Sequence, residues 1–413
     1  MTREVAARTS TESGAAATRT AAAHAVIASF LGWTLDAFDF FVLVFVLPAV
    51  AAEFHKAVAD LAFALTATLA MRPVGAFIFG WLADRYGRRI PLMINLIFYS
   101  VMEVASGLAP SYFWFLALRA LYGIGMGGEW GVGAALAMES VPVRWRGPVS
   151  GLLQEGYAVG YLLAAAAYFL VFPRFGWRPM FFLGGLPALL TLYIRARVPE
   201  SQVWERTRPA PGAIVRTVRC NFQRFLYLVA LMTLLSLLSH GTQDLYPTFL
   251  EKGRGLGPRT VATIAIIYNI GALFGGLACG WLSDHLGRRR AMIGATLAAV
   301  VIVPLWILPQ SLGWLTLGAS LMQFMVQGIF GVIPAHLAEM SPAEARGLFA
   351  GMAYQLGVLF ASGAAYIEAL IAQRLTYSGA LALVATVVLL GNAIVIALGG
   401  EHKGAELHAA SST

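Results

Sequence analysis

Long apolar segments separated by short polar stretches run through almost the whole chain. Each is long enough to cross a bilayer as an α-helix, which takes about 20 residues. Twelve such segments can be marked, at about 25–50, 61–83, 90–109, 113–138, 147–172, 178–198, 223–249, 260–283, 291–309, 312–338, 346–371 and 378–398. The pattern predicts an all-α polytopic membrane protein with twelve transmembrane helices.

The composition excludes the soluble classes of protein. Hydrophobic residues make up 59% of the 413 residues and charged residues only 12%, whereas a soluble domain carries about 25% charged residues. A soluble protein of this composition would expose apolar patches that aggregate. The formal net charge is +8, but no basic helix carries it, so we predict a lipid bilayer as the surroundings and no nucleic-acid partner. The two cysteines imply no disulfide framework.

The positive residues in the loops predict the topology. An even number of spans puts both termini on one side, and inner segments then hold 20 of the 29 Lys and Arg residues, while outer loops hold 7. The positive-inside rule places both termini in the cytoplasm. We expect a disordered tail at 1–23, a helical bundle at 24–198, a linker at 199–222, a second bundle at 223–400 and a tail at 401–413. Tails this short favour a bacterial inner membrane.

An internal repeat indicates two bundles of six helices each. Residues 80–89 recur at 280–289 with seven identities in ten positions. The same offset of 200 relates Glu139 to Glu339 and Arg146-Gly147 to Arg346-Gly347. One register kept across three sites indicates two copies with parallel topology, which is typical of a transporter with its site between the halves near the midplane.

The repeated loop also carries a family resemblance. The motif G-x-x-x-D-R-x-G-R-R at 80–89, its copy at 280–289 and the six-plus-six layout resemble the major facilitator superfamily over about residues 24–400. The resemblance implies a cytoplasmic latch that closes in the outward-facing state. To this latch we assign Asp84, Arg88, Arg89, Arg146, Asp284, Arg288 and Arg346, with Glu139 and Glu339 as partners. The alternative, that these arginines only set the topology, stays open.

Two acids lie near the centre of the first apolar segment. Asp36 and Asp39 are spaced i, i+3, which puts both carboxylates on one face of a helix. An ionisable group at this depth is costly and is a functional candidate for that reason. Two carboxylates close together in a low dielectric favour proton uptake, so we assign both to proton coupling. The alternative is that each forms a salt bridge that holds helices together.

We single out three further charges inside spans. Arg72 lies eleven residues from each end of the second segment, where snorkelling to the membrane surface is difficult. Its planar guanidinium suits a carboxylate, and we expect a substrate carboxylate and Asp36 or Asp39 to bind it in turn. Arg119, nearer the outer end of the fourth segment, either snorkels or forms a structural bridge. We interpret Glu129, deeper in the same segment, as a structural partner.

Polar groups in the fifth and eleventh segments are related by the repeat. Glu155 and Gln355 differ by 200 positions, so they are expected at equivalent places in the two halves. A buried amide suits a hydroxyl or carboxylate ligand, and we assign Glu155, Gln355 and the neighbouring Tyr354 to substrate binding. The alternative for the amide is a hydrogen bond to another helix.

The seventh segment carries the densest polar cluster. His240, Gln243 and Asp244 fall at i, i+3 and i+4 and share one helix face. His titrates near neutral pH and Asp can be its partner, so we assign His240 and Asp244 to proton coupling, and His240 and Gln243 to substrate binding. No second His or Cys is placed to complete a metal site, and no cofactor is predicted. A structural polar cluster near the outer end is the alternative.

These motifs also resemble a branch of the family. S-H-x-T-Q-D-x-x-P-T at 239–248, Y-Q-L-G-x-L-x-x-S at 354–362 and L-D-x-F-D at 35–39 are similar to the lactate and pyruvate permeases of the sialate:proton symporter branch. That group has Asn where this chain has Ser236 and Val358. The resemblance implies that a set of four residues governs carboxylate binding and proton coupling, namely Arg72, His240, Asp244 and Gln355.

The sequence therefore predicts a monomeric proton-coupled symporter of small monocarboxylates such as lactate or pyruvate, working by alternating access. Its partners would be an organic acid anion and a proton. A symporter of a larger acid, such as sialate, shikimate or an aromatic acid, is the alternative. An enzyme is not expected, because no nucleophile–base arrangement and no G-x-x-x-x-G-K-[ST] phosphate loop occurs in the sequence.

Overall fold

The first half of the chain forms one bundle of helices. A computed structural model describes residues 2–210 and 212–407. The helices of the first half are α1 Thr2–Glu53, α2 Val58–Tyr86, α3 Arg89–Gly107, α4 Tyr112–Ser140, α5 Arg146–Phe175, α6 Arg178–Leu183 and α7 Pro187–Arg197. The short helices α6 and α7 together make the sixth crossing.

The second half repeats this arrangement after a linker. Two short helices form the linker, α8 Gln202–Thr207 and α9 Ala213–Cys220. The second bundle consists of α10 Phe222–Gln243, α11 Tyr246–Thr248, α12 Pro258–Leu286, α13 Arg288–Ile307, α14 Leu312–Met340, α15 Arg346–Ala361, α16 Ala364–Arg374 and α17 Tyr377–Leu398. The predicted all-α fold of twelve transmembrane helices in two bundles is confirmed.

One crossing differs from the others in polarity. Eleven helical stretches of the described chain are long and apolar enough to span a membrane. Helix α4 is the twelfth and has the same length as its repeat partner α14. It carries Arg119, Glu129 and Glu139 on a glycine-rich helix, which lowers its hydropathy. A span this polar is tolerated because these three side chains are buried inside the protein.

The chain ends differ from the expected tails. A disordered segment was expected at 1–23, but the structure has helix α1 beginning at Thr2. The segment is rich in alanine, the residue with the highest helix propensity, which accounts for the continuation of the first span. The expected tail at 401–413 is described as far as Leu407, and residues 408–413 lie outside the described part.

The two bundles approach each other closely where the repeated loops begin. Helix α2 packs against α15, and α5 packs against α12. A Cβ atom on Gly80 would lie 2.6 Å from the Cα of Leu348, and one on Gly280 would lie 2.6 Å from the carbonyl oxygen of Gly147. The first glycine of each copy of the motif therefore allows backbone contact between the bundles.

Two spans of the second bundle are broken in the half of the membrane away from the chain ends. Helix α10 ends at Gln243, and Pro247 follows in the short helix α11. Proline has no N–H to continue the hydrogen bonding of a helix, which accounts for this break. The eleventh span is interrupted at Ser362 and Gly363, between α15 and α16. Below, the face at which the chain ends lie is called the terminal face.

Candidate functional site

Two aspartates of the repeated loops cap helices of the opposite bundle. The carboxylate of Asp84 accepts hydrogen bonds from the backbone amides of Gly347, at 2.9 Å, and Leu348, at 2.8 Å. Asp284 accepts from the amide of Gly147 with both oxygens, at 3.1 and 3.0 Å. A carboxylate at a helix N-terminus satisfies free amides and complements the helix dipole. Each aspartate therefore joins the two bundles.

Each capping aspartate is followed, four residues later, by an arginine that pairs with a glutamate. Arg88 donates to Glu139 from Nε at 3.2 Å and from Nη2 at 2.9 Å. Its repeat partner Arg288 donates to Glu339 from Nε at 2.9 Å and from Nη2 at 3.1 Å. Burial alone would lower the pKa of Arg88, but the charges of Glu139 and Asp84 outweigh it and raise that pKa. Both pairs have the strong two-pronged geometry of a guanidinium on a carboxylate.

Two more arginines cross between the bundles. Nη1 of Arg346 donates to Glu139 at 2.6 Å, and Nη1 of Arg146 reaches Glu339 at 3.4 Å. We call the following set the terminal charge network: Asp84, Arg88, Glu139, Arg146, Asp284, Arg288, Glu339 and Arg346. Arg89 is not part of this set, because its Nη2 donates to the carbonyl of Arg195 in its own bundle, and its assignment to the latch stays a prediction.

The C-terminal segment covers this network. Arg146 of the first bundle donates to the carbonyl of Ala405 at 2.8 Å, and Arg346 of the second donates to the carbonyl of Leu407 at 2.9 Å. The side chain of Leu407 is only 2% exposed. Its cluster draws on both bundles and includes Val26, Ala137, Met138, Leu153, Val203, Ala335 and Ala338. The tail is therefore part of the contact that closes the terminal face.

At the midpoint of α2, Arg72 is buried and unpaired. It is 5% exposed, and its buried Nε has no hydrogen-bond partner. The expected ion pair with Asp36 or Asp39 is absent from the described residues, although the charge of Arg72 still acts on Asp36. Both oxygens of each aspartate are also buried without a partner. Oδ1 of Asp39 lies near Glu103, since a Cβ atom on Gly184 would contact both side chains, and the hydroxyl of Tyr122 donates to the backbone carbonyl of Asp36 at 3.0 Å.

Aromatic side chains from both bundles stack on one another. Tyr354 of α15 stacks on Trp130 of α4, with ring centroids 4.0 Å apart. Trp33 of α1 stacks on Tyr157 of α5 at 5.7 Å and meets Tyr354 edge-on at 6.5 Å. These four rings are called here the aromatic cluster.

The repeat-related pair Glu155 and Gln355 lies at the interface between bundles. Nε2 of Gln355 donates weakly to the carbonyl of Gly127 in the first bundle, at 3.4 Å. Glu155 packs on the second bundle, since a Cβ atom on Gly276 would lie 1.9 Å from its Oε1. The two side chains therefore reach in opposite directions across one interface. Tyr354 accepts a hydrogen bond from Gln154 at 3.4 Å.

The polar face of α10 lies toward the outer ends of the helices. Nδ1 of His240 and Oδ2 of Asp244 are 3.0 Å apart, and the side chains are 38% and 41% exposed. Gln243 instead turns into its own bundle and donates to Gln323 at 2.8 Å. This hydrogen bond places Gln243 away from the aromatic cluster.

The secondary charges of α4 have separate roles. Arg119 forms a buried ion pair with Glu103 of α3 and stacks over the ring of Tyr122 at 4.2 Å, so it bridges helices within one bundle. Glu129 was expected to be a structural partner, but both of its oxygens lack a hydrogen bond within the described residues. It sits against Gly32, where a Cβ atom would lie 2.4 Å from its Oε1.

Several residues of the site were not found from the sequence. For none of them does the repeat place an acid or an amide at the equivalent position of the other half. They are Trp33, Glu103, Trp130, Tyr157, Gln323 and Glu368. A glutamate or glutamine inside a predicted span was the available signal for three of them.

Two six-helix bundles related by an internal repeat and joined by a repeated charge network are typical of membrane transporters built from two halves. The family model of the Major Facilitator Superfamily matches residues 29–362 and 229–410. The chain belongs to the major facilitator superfamily, and it is a transporter rather than an enzyme.

Named relatives place the chain on a sialate-like branch of this family. Sialic acid transporter NanX of Escherichia coli is 30% identical over 81% of this chain and 83% of its own length. A carboxylic acid transporter protein homolog of Saccharomyces cerevisiae is 31% identical over 84% of this chain, which spans 60% of the yeast protein. The solved human organic anion transporter MFSD10 has a TM-score of 0.75 at 17% identity, over 91% of this chain and 99% of that chain. This last likeness concerns the fold alone.

Proposed function

We propose that the protein is a proton-coupled symporter of small monocarboxylates such as lactate or pyruvate, working by alternating access. The single observation that carries the proposal is Arg72, a buried guanidinium at the midpoint of α2 without an ion pair or side-chain hydrogen bond to the described residues. A buried cation needs a partner, and a carboxylate fits its planar fork. Relatives named for organic acids support the same class of cargo.

The coupling of anion and proton follows from the field between Arg72 and Asp36. Arg72 and Asp36 are both buried, and no ion pair joins them within the described residues. A carboxylate bound at Arg72 cancels part of that field, so Asp36 takes up a proton more readily. Anion and proton then favour each other's binding reciprocally. The loaded site carries the same net charge as the empty one, which avoids adding charge at the midplane.

Protons reach the site from the half of the membrane away from the terminal face. His240 and Asp244 form a partly exposed pair in that half, with Nδ1 and Oδ2 3.0 Å apart, and histidine commonly serves as a proton shuttle. In this proposal the terminal charge network closes the cytoplasmic side and must part when the bundles rock inward. The excess of Lys and Arg in the inner loops supports cytoplasmic termini. The proposal also places the protein in a bacterial inner membrane, as a monomer.

Uptake into proteoliposomes tests this function. Purified protein should accumulate labelled lactate when an inward proton gradient is imposed and should lose the accumulation when a protonophore collapses the gradient. Empty liposomes and a preparation with an outward gradient are the controls. Equal uptake with and without the gradient would indicate a uniporter and contradict proton coupling.

A larger organic acid is the second candidate for the cargo. The aromatic cluster of Trp33, Trp130, Tyr157 and Tyr354 offers stacking faces that a flat or ring-shaped acid can use. The similarity to a sialic acid transporter points the same way. Competition of lactate uptake by unlabelled pyruvate, sialate, shikimate and benzoate separates the two candidates. Stronger competition by the ring acids than by pyruvate would favour the second.

A further inference from the structure

One buried acid of the second bundle has no place in the scheme above. Glu368 lies on α16, the short helix that follows the break of the eleventh span. Its residue exposure is 0%, and both carboxylate oxygens are buried without a hydrogen-bond partner. A carboxylate in this setting is strongly destabilised when it is ionised, since no donor or cation of the described residues bonds to it. The neutral acid is therefore the form that suits the observed position.

The surroundings connect Glu368 to the polar face of α10. A Cβ atom on Gly241 would lie only 3.1 Å from Oε1 of Glu368, so the carboxyl rests on the backbone between His240 and Thr242. The charge of Asp244 also acts on Glu368. The acid is thus buried against the backbone of the helix whose last turn carries His240, next to Asp244.

The other groups near Glu368 offer no compensating charge. Helices α10 and α17 pack against α16, and α17 carries Tyr377 but no acidic, basic or cysteine residue between 377 and 398. On α10, Arg224 and Tyr227 lie at the opposite end of the helix from Gly241. On α16 itself the remaining titratable groups are exposed, and they are Tyr366 and Arg374.

We propose that Glu368 is a second proton-binding carboxyl of the transporter, loaded through His240 and Asp244. A proton passes from the His240 imidazolium to the Glu368 carboxylate when the region is open to water, and the neutral acid then packs onto Gly241. The break at Ser362 and Gly363 leaves α16 as a short separate helix, which lets it move without the rest of the span. The proposal rests on proton-coupled transport, and it assigns part of the coupling to the second bundle.

The test compares two modes of transport in one variant. Glu368→Gln keeps the size and hydrogen-bonding groups but cannot take up a proton. We expect proton-driven lactate accumulation to fall by more than about fivefold, the lower end of typical coupling between sites. Lactate counterflow, which needs no net proton movement, should change little. Glu368→Asp should restore part of the accumulation, and Glu251→Gln, at an exposed acid of the neighbouring segment Phe249–Gly253, should leave both modes unchanged.

Infrared difference spectra on the wild type supply a readout that does not depend on transport. The carbonyl band of a protonated carboxylic acid should disappear when the pH is raised, and Glu368→Gln should lack that component. An unchanged pH profile of uptake together with an unchanged band would overturn the assignment of Glu368. If wild-type accumulation does not depend on the gradient, the proposed function fails instead, and the two failures are distinguishable.

Discussion

Buried charged groups at the terminal face have bonding partners, whereas several of those in the middle of the membrane lack them in the described part of the chain. In the terminal charge network every acid is bonded: Asp84 and Asp284 to backbone amides, Glu139 and Glu339 to arginines. In the middle, both oxygens of three acids lack any hydrogen bond to the described residues, namely Asp36, Asp39 and Glu129. The nearby Arg72 is unpaired as well.

This difference separates charges that hold a conformation from charges that bind something. Breaking a buried ion pair leaves an uncompensated charge and is costly, so a fully bonded network favours one arrangement of the two bundles. An unpaired acid can take up and release a proton without breaking a contact. Substitutions in the network should therefore alter conformational populations, and substitutions in the middle should alter binding and coupling.

Arg72→Lys should have the largest effect on transport. Lysine retains the charge but loses the planar fork that binds both carboxylate oxygens. We expect uptake at low lactate concentration to fall by about tenfold to a hundredfold, which corresponds to about 1.5–3 kcal/mol for a hydrogen bond to a charged group. The melting temperature should change little, because Arg72 has no ion pair to lose.

Arg119→Lys is the matched control for that experiment. It lies in the same bundle, but its guanidinium is bonded to Glu103 and stacked on Tyr122. We expect a lower melting temperature and an unchanged order of preference among acids. The comparison fails if Arg119→Lys abolishes binding while Arg72→Lys preserves it.

Asp84→Asn should have the next largest effect, and on conformation rather than selectivity. The carboxylate accepts from two amides of the opposite bundle, and an amide side chain replaces it with weaker, uncharged bonds. The population open at the terminal face should rise about tenfold, the lower limit for losing a hydrogen bond to a charged group. Net uptake should slow, and the order of preference among acids should stay the same.

Spin labels provide the measurement for this shift. Tyr86 and Leu286 are repeat-related and exposed at 55% and 49%, and the distance between labels at these positions should lengthen as the bundles part. Asp284→Asn is the matched variant, since Asp284 caps a single amide and should give a smaller shift. A changed preference among acids in Asp84→Asn would contradict a purely conformational role.

The sequence predicts the terminal charge network better than the middle because the network is repeated. The offset of 200 pairs Asp84 with Asp284 and Glu139 with Glu339. Two copies of one loop are expected to pack in the same way and to make equivalent contacts. The structure brings these residues together, while their role in gating stays a prediction. Arg89 shares the motif but turns to Arg195, because a motif gives position along a helix and not the direction of a long side chain.

The pairing of single residues in the middle cannot be predicted in this way. Arg119 finds its partner Glu103 on a neighbouring helix, and helix periodicity gives no information about which helices are neighbours. Arg72 and the span-1 aspartates were expected to pair because they are opposite charges at equal depth. Depth alone does not fix the face of α1, and within the described residues the oxygens of both aspartates and Nε of Arg72 are left without a partner.

Leu407→Ala tests how far the C-terminal segment stabilises the contact between the two bundles at the terminal face. The side chain is buried among residues of both bundles. Because a chain end can relax into the space, the closed arrangement should lose about as much free energy as burial of one methylene provides, about 0.8 kcal/mol. This loss corresponds to about a fourfold rise in the population open at the terminal face. The same spin-label pair measures it. Glu406→Ala, at an exposed neighbour, should leave the distances unchanged, and an equal shift in both variants would argue against a specific role for Leu407.

Arg89→Ala should have the smallest effect on the conformational equilibrium. It tests whether the terminal charge network extends to this residue. Its side chain is bonded to the carbonyl of Arg195, in the same bundle, so the bond is kept whether the bundles are together or apart. A contact present in both conformations cannot shift the equilibrium between them. We therefore expect unchanged label distances and a small loss of thermal stability, whereas Arg88→Ala, which removes the partner of Asp84 and Glu139, should move the distances strongly. A shift in Arg89→Ala as large as that in Arg88→Ala would mean that the motif arginines act together and that the network extends beyond its bonded residues.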